Sequence, residues 1–285
     1  MSTVSPFLSR SWRLLTDVTP NDTNTFRIGH WNVLADQLAE SGGFQPEPPM
    51  LAWPERSMRL LAIIDEAGPF DVLSLVECDH FADFWEPAMR ARGLVGWHAR
   101  KLEHRWNHGV ALFYRVEKFA VRQLRICQDG VAAISAQLQF SCNADWHFSI
   151  TTTHFKAKAA GAAQRTDQAV KLNTDVIIPD DRVMVVGDFN ATPGEQCMCD
   201  LARFYDLDHI CYDTTPEDAL PWTTWKQRDG TTVRRPIDHI LQRNMCGTQI
   251  LAVPYDVEVM AAGFLPGTRY ASDHLLLAVD CSMDK

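Results

Sequence analysis

Asp71-Val72-Leu73-Ser74-Leu75-Val76-Glu77 is a short, almost wholly apolar run that ends on an acid. A run of this length and composition reads as a strand buried on both faces. It delivers Glu77 at its end. Upstream, Gly68-Pro69 stops a helix. From Glu55 to Ala67 the apolar residues Met58, Leu61, Ile64 and Ala67 recur at three-residue steps, close enough to the helical period to bury one face, and Pro54 fits the first turn. Segment 41–53, with Gly42, Gly43, Pro46, Pro48 and Pro49, reads as a loop. Before it, Phe26 to Leu34 is a further apolar strand, with Asn32 near its end. Strand, helix, strand in this order is a crossover connection between parallel strands.

The same pattern continues downstream. His80 to Arg92 predicts a helix and Val110 to Tyr114 a strand. Phe119 to Ile126 and Val131 to Phe140 predict antiparallel partners joined by a turn at Asp129-Gly130. In the second of these, alternation gives Ala132, Ile134, Ala136, Leu138 and Phe140 the core face. Trp146 to Thr153 is a strand carrying His154 at its end, and Gln164 to Ile178 a helix. Val183 to Val186 is a buried strand ending at Gly187-Asp188, and the last strand, Leu275 to Val279, follows Asp273-His274. No fixed-period repeat or low-complexity linker divides the 285 residues. Residues 1–24 therefore read as a flexible N-terminal segment and 25–285 as a single domain.

The apolar fraction, 46%, suffices for a substantial core. No run of 18 apolar residues exists, so no membrane span is expected. A formal charge of −9 repels a polyanion in its mean field, so nucleic acid would need a local basic patch. Residues 90–118 supply the clearest one: seven Lys/Arg against two Glu, with His98, His104 and His108. The eight cysteines lack zinc-finger spacing and read as reduced thiols of an intracellular, cytoplasmic protein. Residues 1–16, with Arg10, Arg13 and no acid, bear a weak likeness to a mitochondrial presequence. Asn21-Asp22-Thr23 fits a glycosylation acceptor, which means little without a secretory signal.

Polar residues gather where strands end: Asn32, Glu77, His154, Asp188, Asn190, Asp238, Asp273 and His274. Acids beside apolar strands cost several kcal/mol unless paired or metal-bound, so a shared placement of this kind points to a site.

Five segments, His30-Trp31-Asn32-Val33-Leu34-Ala35, Leu75-Val76-Glu77, Gly187-Asp188-Phe189-Asn190, Pro236-Ile237-Asp238-His239-Ile240 and Ser272-Asp273-His274, resemble the signature pieces of the endonuclease/exonuclease/phosphatase superfamily, in its order. The nocturnin-like and poly(A) deadenylase branch is similar further, through Glu77-Cys78-Asp79-His80, Thr153-His154-Phe155-Lys156-Ala157-Lys158 with Arg165 and Gln168, and Thr223-Thr224-Trp225-Lys226. Lys158 stands where the branch has arginine, His108 where it has aspartate, and Val76 where it has glutamine. The resemblance implies an α/β fold of four layers, α/β/β/α, with two mixed β-sheets face to face and helices outside. It implies hydrolysis of a phosphoester with Mg2+ (Mn2+ as a substitute), held by Glu77, Asn32 and Asp273. His154, Asn190 and His274 would stabilise the phosphoryl charge, Asp238 would orient His274, and either Asp188 or His274 would take the proton of the attacking water. Lys101, Lys156, Lys158 and Arg165 would hold further phosphate charge. Trp225 either stacks on a base or fills the core. The implied substrate is a small nucleotide with a terminal phosphate, with NADP(H) converted to NAD(H) as the leading expectation. The alternative is the 3′ end of single-stranded RNA, releasing 5′-AMP. A non-catalytic nucleotide or protein binding module is the reading of another class. No membrane and no obligate protein partner are implied.

Overall fold

The structure is a computed structural model that describes residues 7–15, 24–41, 43–44, 50–102, 107–210 and 222–283. Asn21-Asp22-Thr23, His104 and the Pro46–Pro49 stretch lie outside the described residues. Among those described, fifteen strands form two sheets and a hairpin. They are β1 Trp12–Leu14, β2 Thr25–Asn32, β3 Val72–Cys78, β4 Leu94–Ala99, β5 Gly109–Arg115, β6 Phe119–Cys127, β7 Ala132–Phe140, β8 Asn143–His154, β9 Val183–Asp188, β10 Asp208–His209, β11 Thr224–Arg228, β12 Thr231–Arg235, β13 Asp238–Arg243, β14 Cys246–Leu251 and β15 Leu277–Ser282. The helices are α1 Asp36–Ser41, α2 Trp53–Ala67, α3 Glu86–Arg90, α4 Ala162–Lys171, α5 Gln196–Tyr205 and α6 Asp256–Ala261.

The first sheet runs β1-β14-β15-β2-β3-β5-β4 and the second β10-β13-β9-β8-β7-β6. Each holds one parallel pair made by a helical crossover, β2 with β3 through α2 and β8 with β9 through α4. The remaining pairings are antiparallel. Alternation sorts each strand's side chains. Phe26, Ile28 and Val72 of the first sheet meet Phe148, Ile150, Met184, Val186 and Ile240 of the second in one apolar layer. The opposite faces lie under helices: Trp31, Leu73 and Leu75 against Leu60 and Ile64 of α2, and Val183 and Val185 against Ala169 of α4 and Leu201 of α5. Helix, sheet, sheet, helix is the expected four-layer sandwich.

Several expectations change in detail. Met58 is exposed, whereas Leu60, Leu61, Ile63 and Ile64 are buried, because strict three-residue steps fall behind a 3.6-residue period. In the N-terminal segment expected to be flexible, Trp12–Leu14 pairs with β14, and Arg27 lies 3.9 Å over the Trp12 ring. The helix expected over 80–92 is a π-turn, Phe81–Trp85, followed by short α3. Strand β4 then follows where none was expected. Its Gly96 explains why: a Cβ there would sit 2.3 Å from the Leu112 carbonyl on β5, so only glycine permits the pairing. Neither α5 nor the β11–β12 hairpin was anticipated.

His209 on β10 and His239 on β13 face each other with ring centroids 5.1 Å apart. Burial lowers the pKa of His209 to about 4, and burial with the neighbouring His209 lowers His239 to about 3. Both lie below the unfolded value of about 6.5, so below that pH the unfolded chain binds protons that the folded one refuses. The contribution of this pair to stability should be complete above about pH 6.5 and fall as the pH drops toward about 4. Urea midpoints measured across that range should decline less steeply for His209→Gln than for the unaltered protein; equal slopes would contradict this account.

Candidate active site

The apolar rows between the sheets turn polar at one end. On β2 the inward row reads Phe26, Ile28, His30, Asn32; on β8, Phe148, Ile150, Thr152, His154; on β9, Met184, Val186, Asp188. On β13 it runs from Ile240 to Asp238. Register aligns these ends, since His154 pairs with Asp188 on one side and Asp238 with Asp188 on the other. Gly187 lets the strands approach, because a Cβ there would lie 2.5 Å from the Thr153 carbonyl. Glu77 has the wrong parity for this row. A register shift between Val76 and Cys78 corrects it, with Glu77 in the left-handed region at φ 53°. A bulge of this kind re-aims a side chain, and here it accompanies a carboxylate beside His154. Asn190 also has a positive φ, 51°.

The groups meet closely. Asn32 Nδ2 donates to Asp188 Oδ2 at 2.9 Å, and Asp188 Oδ1 accepts from the Asn190 backbone N–H at 2.9 Å. His154 Nε2 lies 3.9 Å from Glu77 Oε1, 3.7 Å from Asp188 Oδ2 and 3.2 Å from Asn190 Nδ2. Asp238 Oδ2 receives His274 Nδ1 at 2.8 Å and the Thr223 hydroxyl at 2.6 Å. Asp188 Oδ2 is 3.8 Å from the same imidazole nitrogen. Trp31 fixes the segment by donating to the His274 carbonyl at 2.7 Å.

Burial opposes charge on Asp188, Asp238, Asp273 and His274. It raises the Asp188 pKa, and the Asp238 carboxylate raises it further. Burial also opposes the charge on Asp238, but His274 outweighs it and holds that carboxyl well below the usual range. His274 is the counterpart: burial lowers its pKa, yet Asp238, Asp273 and Asp188 together push it up to about 9. Asp273 is held low despite burial by Lys226, whose Nζ is 2.6 Å from Oδ2.

Two triads have ligand atoms within 4.8 Å of one another: Glu77, His154 and Asp188, and Asp188, Asp238 and His274. The second is spent on the hydrogen bonds just described. Glu77 faces a cavity of about 180 Å³ also lined by Lys101, His108, His154 and Lys156, and the Asp273 Oδ1 atom is buried with no hydrogen-bond partner. The Glu77 carboxylate beside open volume, with the Asp273 charge near enough to act on it, fits a divalent cation that keeps part of its water shell.

The expected residues Asn32, Glu77, His154, Asp188, Asn190, Asp238 and His274 therefore converge, and Asp273 adjoins them with His274 Nε2 3.9 Å from its Oδ2. Asn32 Oδ1 accepts from the Leu34 N–H at 3.0 Å, which uses one of its two lone pairs. Two expectations are corrected. Arg165 is 3% exposed and donates to the carbonyls of Lys156 and Lys158 and to Glu195. It holds the lysine loop from behind rather than touching a substrate. Trp225 is buried, edge-on to Trp222 and Phe264, with the Arg234 guanidinium 4.3 Å from its ring centre, so core packing takes the ring. Lys101 and Lys156 line the cavity, while Lys158, exposed at φ 72°, does not line it.

His30 was not foreseen. Its Nδ1 is 2.9 Å from the Ser74 hydroxyl, itself 2.5 Å from the Thr152 hydroxyl, and its Nε2 points to Asp238 Oδ1 at 3.6 Å. With Thr152 donating to Ser74 and Ser74 to His30 Nδ1, the neutral ring would carry its proton on Nε2, facing the carboxylate. The single sequence cue was its place two residues before Asn32. Thr223 and Lys226 lay in a noted stretch, but nothing in their spacing tied them to Asp238 and Asp273.

Comparison with known proteins agrees with this geometry. The Endonuclease/Exonuclease/phosphatase family model matches residues 29–274. Nocturnin of Xenopus laevis is 28% identical over 95% of this chain and 76% of its own length, and that of Homo sapiens 27% over 99% and 71%. Among solved structures, ANGEL2, a 2′,3′-cyclic phosphatase in complex with adenosine-2′,3′-vanadate, superposes with a TM-score of 0.78 at 15% identity, covering 96% of this chain and 98% of that one. The human Nocturnin catalytic domain with bound sulfate gives 0.73 at 24% identity, covering 99% of each. The chain belongs to the endonuclease/exonuclease/phosphatase family and carries that family's phosphoesterase site.

Proposed function

We propose that this protein is a magnesium-dependent phosphodiesterase that trims the 3′ end of single-stranded RNA, releasing a nucleoside 5′-monophosphate at each cut. The observation that carries this reading is the shape of the site. The cavity at Glu77 is the middle of three. One of about 570 Å³ adjoins it through His108, and one of about 370 Å³ through Lys101 and Lys156. A phosphate placed at Glu77 thus has room for chain on both sides, which a strand of nucleotides uses and an isolated phosphate does not. The adenosine-2′,3′-vanadate held by ANGEL2 and the single-stranded DNA product held by TDP2 on the same fold support nucleic-acid ends as the substrate class.

In this reading Glu77 and Asp273 Oδ1 would hold the cation. When bound, the cation polarises the phosphoryl oxygens and eases departure of the leaving alkoxide. Asp188 accepts a proton from the attacking water, a task suited to a carboxylate whose proton affinity burial has raised. His274, kept cationic by Asp238, and Asn190 stabilise the equatorial charge from fixed positions, and His154 joins them. His30 and Thr223 hold Asp238. Water adds to phosphorus, the P–O bond to the upstream ribose 3′ oxygen breaks, and that oxygen takes a proton from solvent while Asp188 returns its own to solvent.

A second reading, removal of the 2′-phosphate of NADP(H), is favoured by the small middle cavity between Lys101 and Lys156 and by the likeness to nocturnin. Inorganic phosphate released from NADP and AMP released from oligo(A), measured side by side with one preparation, separate the two. AMP should dominate; phosphate from NADP with inert oligo(A) would replace the first reading by the second. Chelation of divalent ions should abolish turnover and magnesium restore it. Glu77→Ala and Asp188→Ala should each lose at least about 10²–10³-fold in kcat while staying folded by circular dichroism. A folded protein with every group present but no turnover of either substrate would instead favour the binding-module reading. His30→Asn should lower kcat about 10- to 100-fold with little change in KM, as expected of a group acting through Asp238; a change confined to KM would exclude that role.

A further inference from the structure

We infer that the cavity flanking the site on the Lys171 side is a second phosphate subsite, which takes the phosphate of the nucleotide immediately 5′ of the scissile bond. This rests on the RNA reading above and deepens it. The cavity, of about 370 Å³, is lined by Lys101, Lys156 and Lys171, with Gln168 at its back and Gly130 on its far wall. Asp167 and Gln164 stand exposed at its edge. Three ammonium groups against one lining acid make a cationic concavity in a chain whose formal charge is −9. Such a focus of one sign concentrates anions.

The walls are built rather than incidental. Gln168 is 6% exposed; its Oε1 accepts the Lys156 backbone N–H at 2.8 Å, and its Nε2 donates to the Gly130 carbonyl at 3.0 Å. One buried amide therefore fixes the spacing between the loop carrying Lys156 and the turn carrying Gly130. Behind it Arg165 pins the carbonyls of Lys156 and Lys158. Lys171 Nζ is 2.9 Å from Asp129 Oδ2, and the Asp129 side chain is 77% exposed. A pair so open to water is held weakly, so a phosphate can take the ammonium from Asp129 at little cost. Lys101 and Lys156 line this cavity and the catalytic one together. A backbone that leaves the scissile phosphate on this side meets them first and Lys171 next.

The test compares hydrolysis of hexameric oligo(A), NADP and bis(p-nitrophenyl) phosphate, a diester too short to reach Lys171. For Lys171→Ala, the ratio of kcat/KM on the hexamer to that on the small diester should fall about three- to tenfold. For Asp129→Asn, which releases Lys171, the same ratio should rise. The slope of log Kd against log salt for labelled oligo(A) should shrink by about 0.7 in Lys171→Ala, the loss of one phosphate contact to a single strand. An unchanged ratio or slope overturns the subsite. An equal loss on NADP overturns it as well, because the cavity would then hold a pyrophosphate. If the unaltered protein cleaves the small diester but no oligo(A), the RNA reading fails first and takes the subsite with it.

Discussion

The hydrogen bond from Asn32 to Asp188, 2.9 Å long and wholly buried, is the contact on which the site depends. Asn32 ends a strand of the first sheet and Asp188 a strand of the second. Two stacked sheets are free to slide while only apolar side chains lie between them, because the hydrophobic effect has no direction. A directional bond between their ends fixes the offset. The Thr152–Ser74–His30 chain, one turn of the pleat deeper, crosses the same gap. Leaving any member unpaired in that setting would cost about 1–3 kcal/mol, so the polar seam specifies one alignment of the layers as well as holding the acids.

The charges balance by pairing rather than by exposure to water. Asp238 has His274 and Thr223, Asp273 has Lys226, and Asp188 has the amides of Asn32 and Asn190. Glu77 is held more loosely, by a long bond from the Ala35 N–H at 3.3 Å and by the Asn32 side chain. The carboxylate that the fold leaves with spare acceptor capacity is the one a bulge aims at the cavity. This division follows from chemistry: a metal ligand must keep lone pairs available, whereas a carboxylate that orients an imidazole must not.

Support extends outward in the same manner. Arg56, fully buried, donates to the carbonyls of Leu51, Val33 and Leu34, and so holds the turn that leaves β2 just after Asn32. Arg165 serves the lysine loop alike, and its pairing with Glu195 ties that loop to the start of α5. Both guanidiniums donate to backbone carbonyls of the loops beside them, so they shape loops and leave substrate charge to the lysines in front.

The sequence by itself determined the first parallel crossover, the apolar inward rows and the concentration of acids, amides and imidazoles at strand ends, because side-chain alternation and strand termination are local properties. It also placed Glu77, Asp188, Asp238 and His274 in one family pattern. It could not show that Gly96 opens a strand, since that depends on which neighbour lies alongside. Arg165 and Trp225 look like substrate contacts in a linear reading, because a cation or a ring beside a motif carries no label for burial. Only the tertiary structure decided that they support rather than bind, and that His30 backs Asp238. Pairing across the gap between two sheets depends on their relative offset, which no stretch of a single strand encodes.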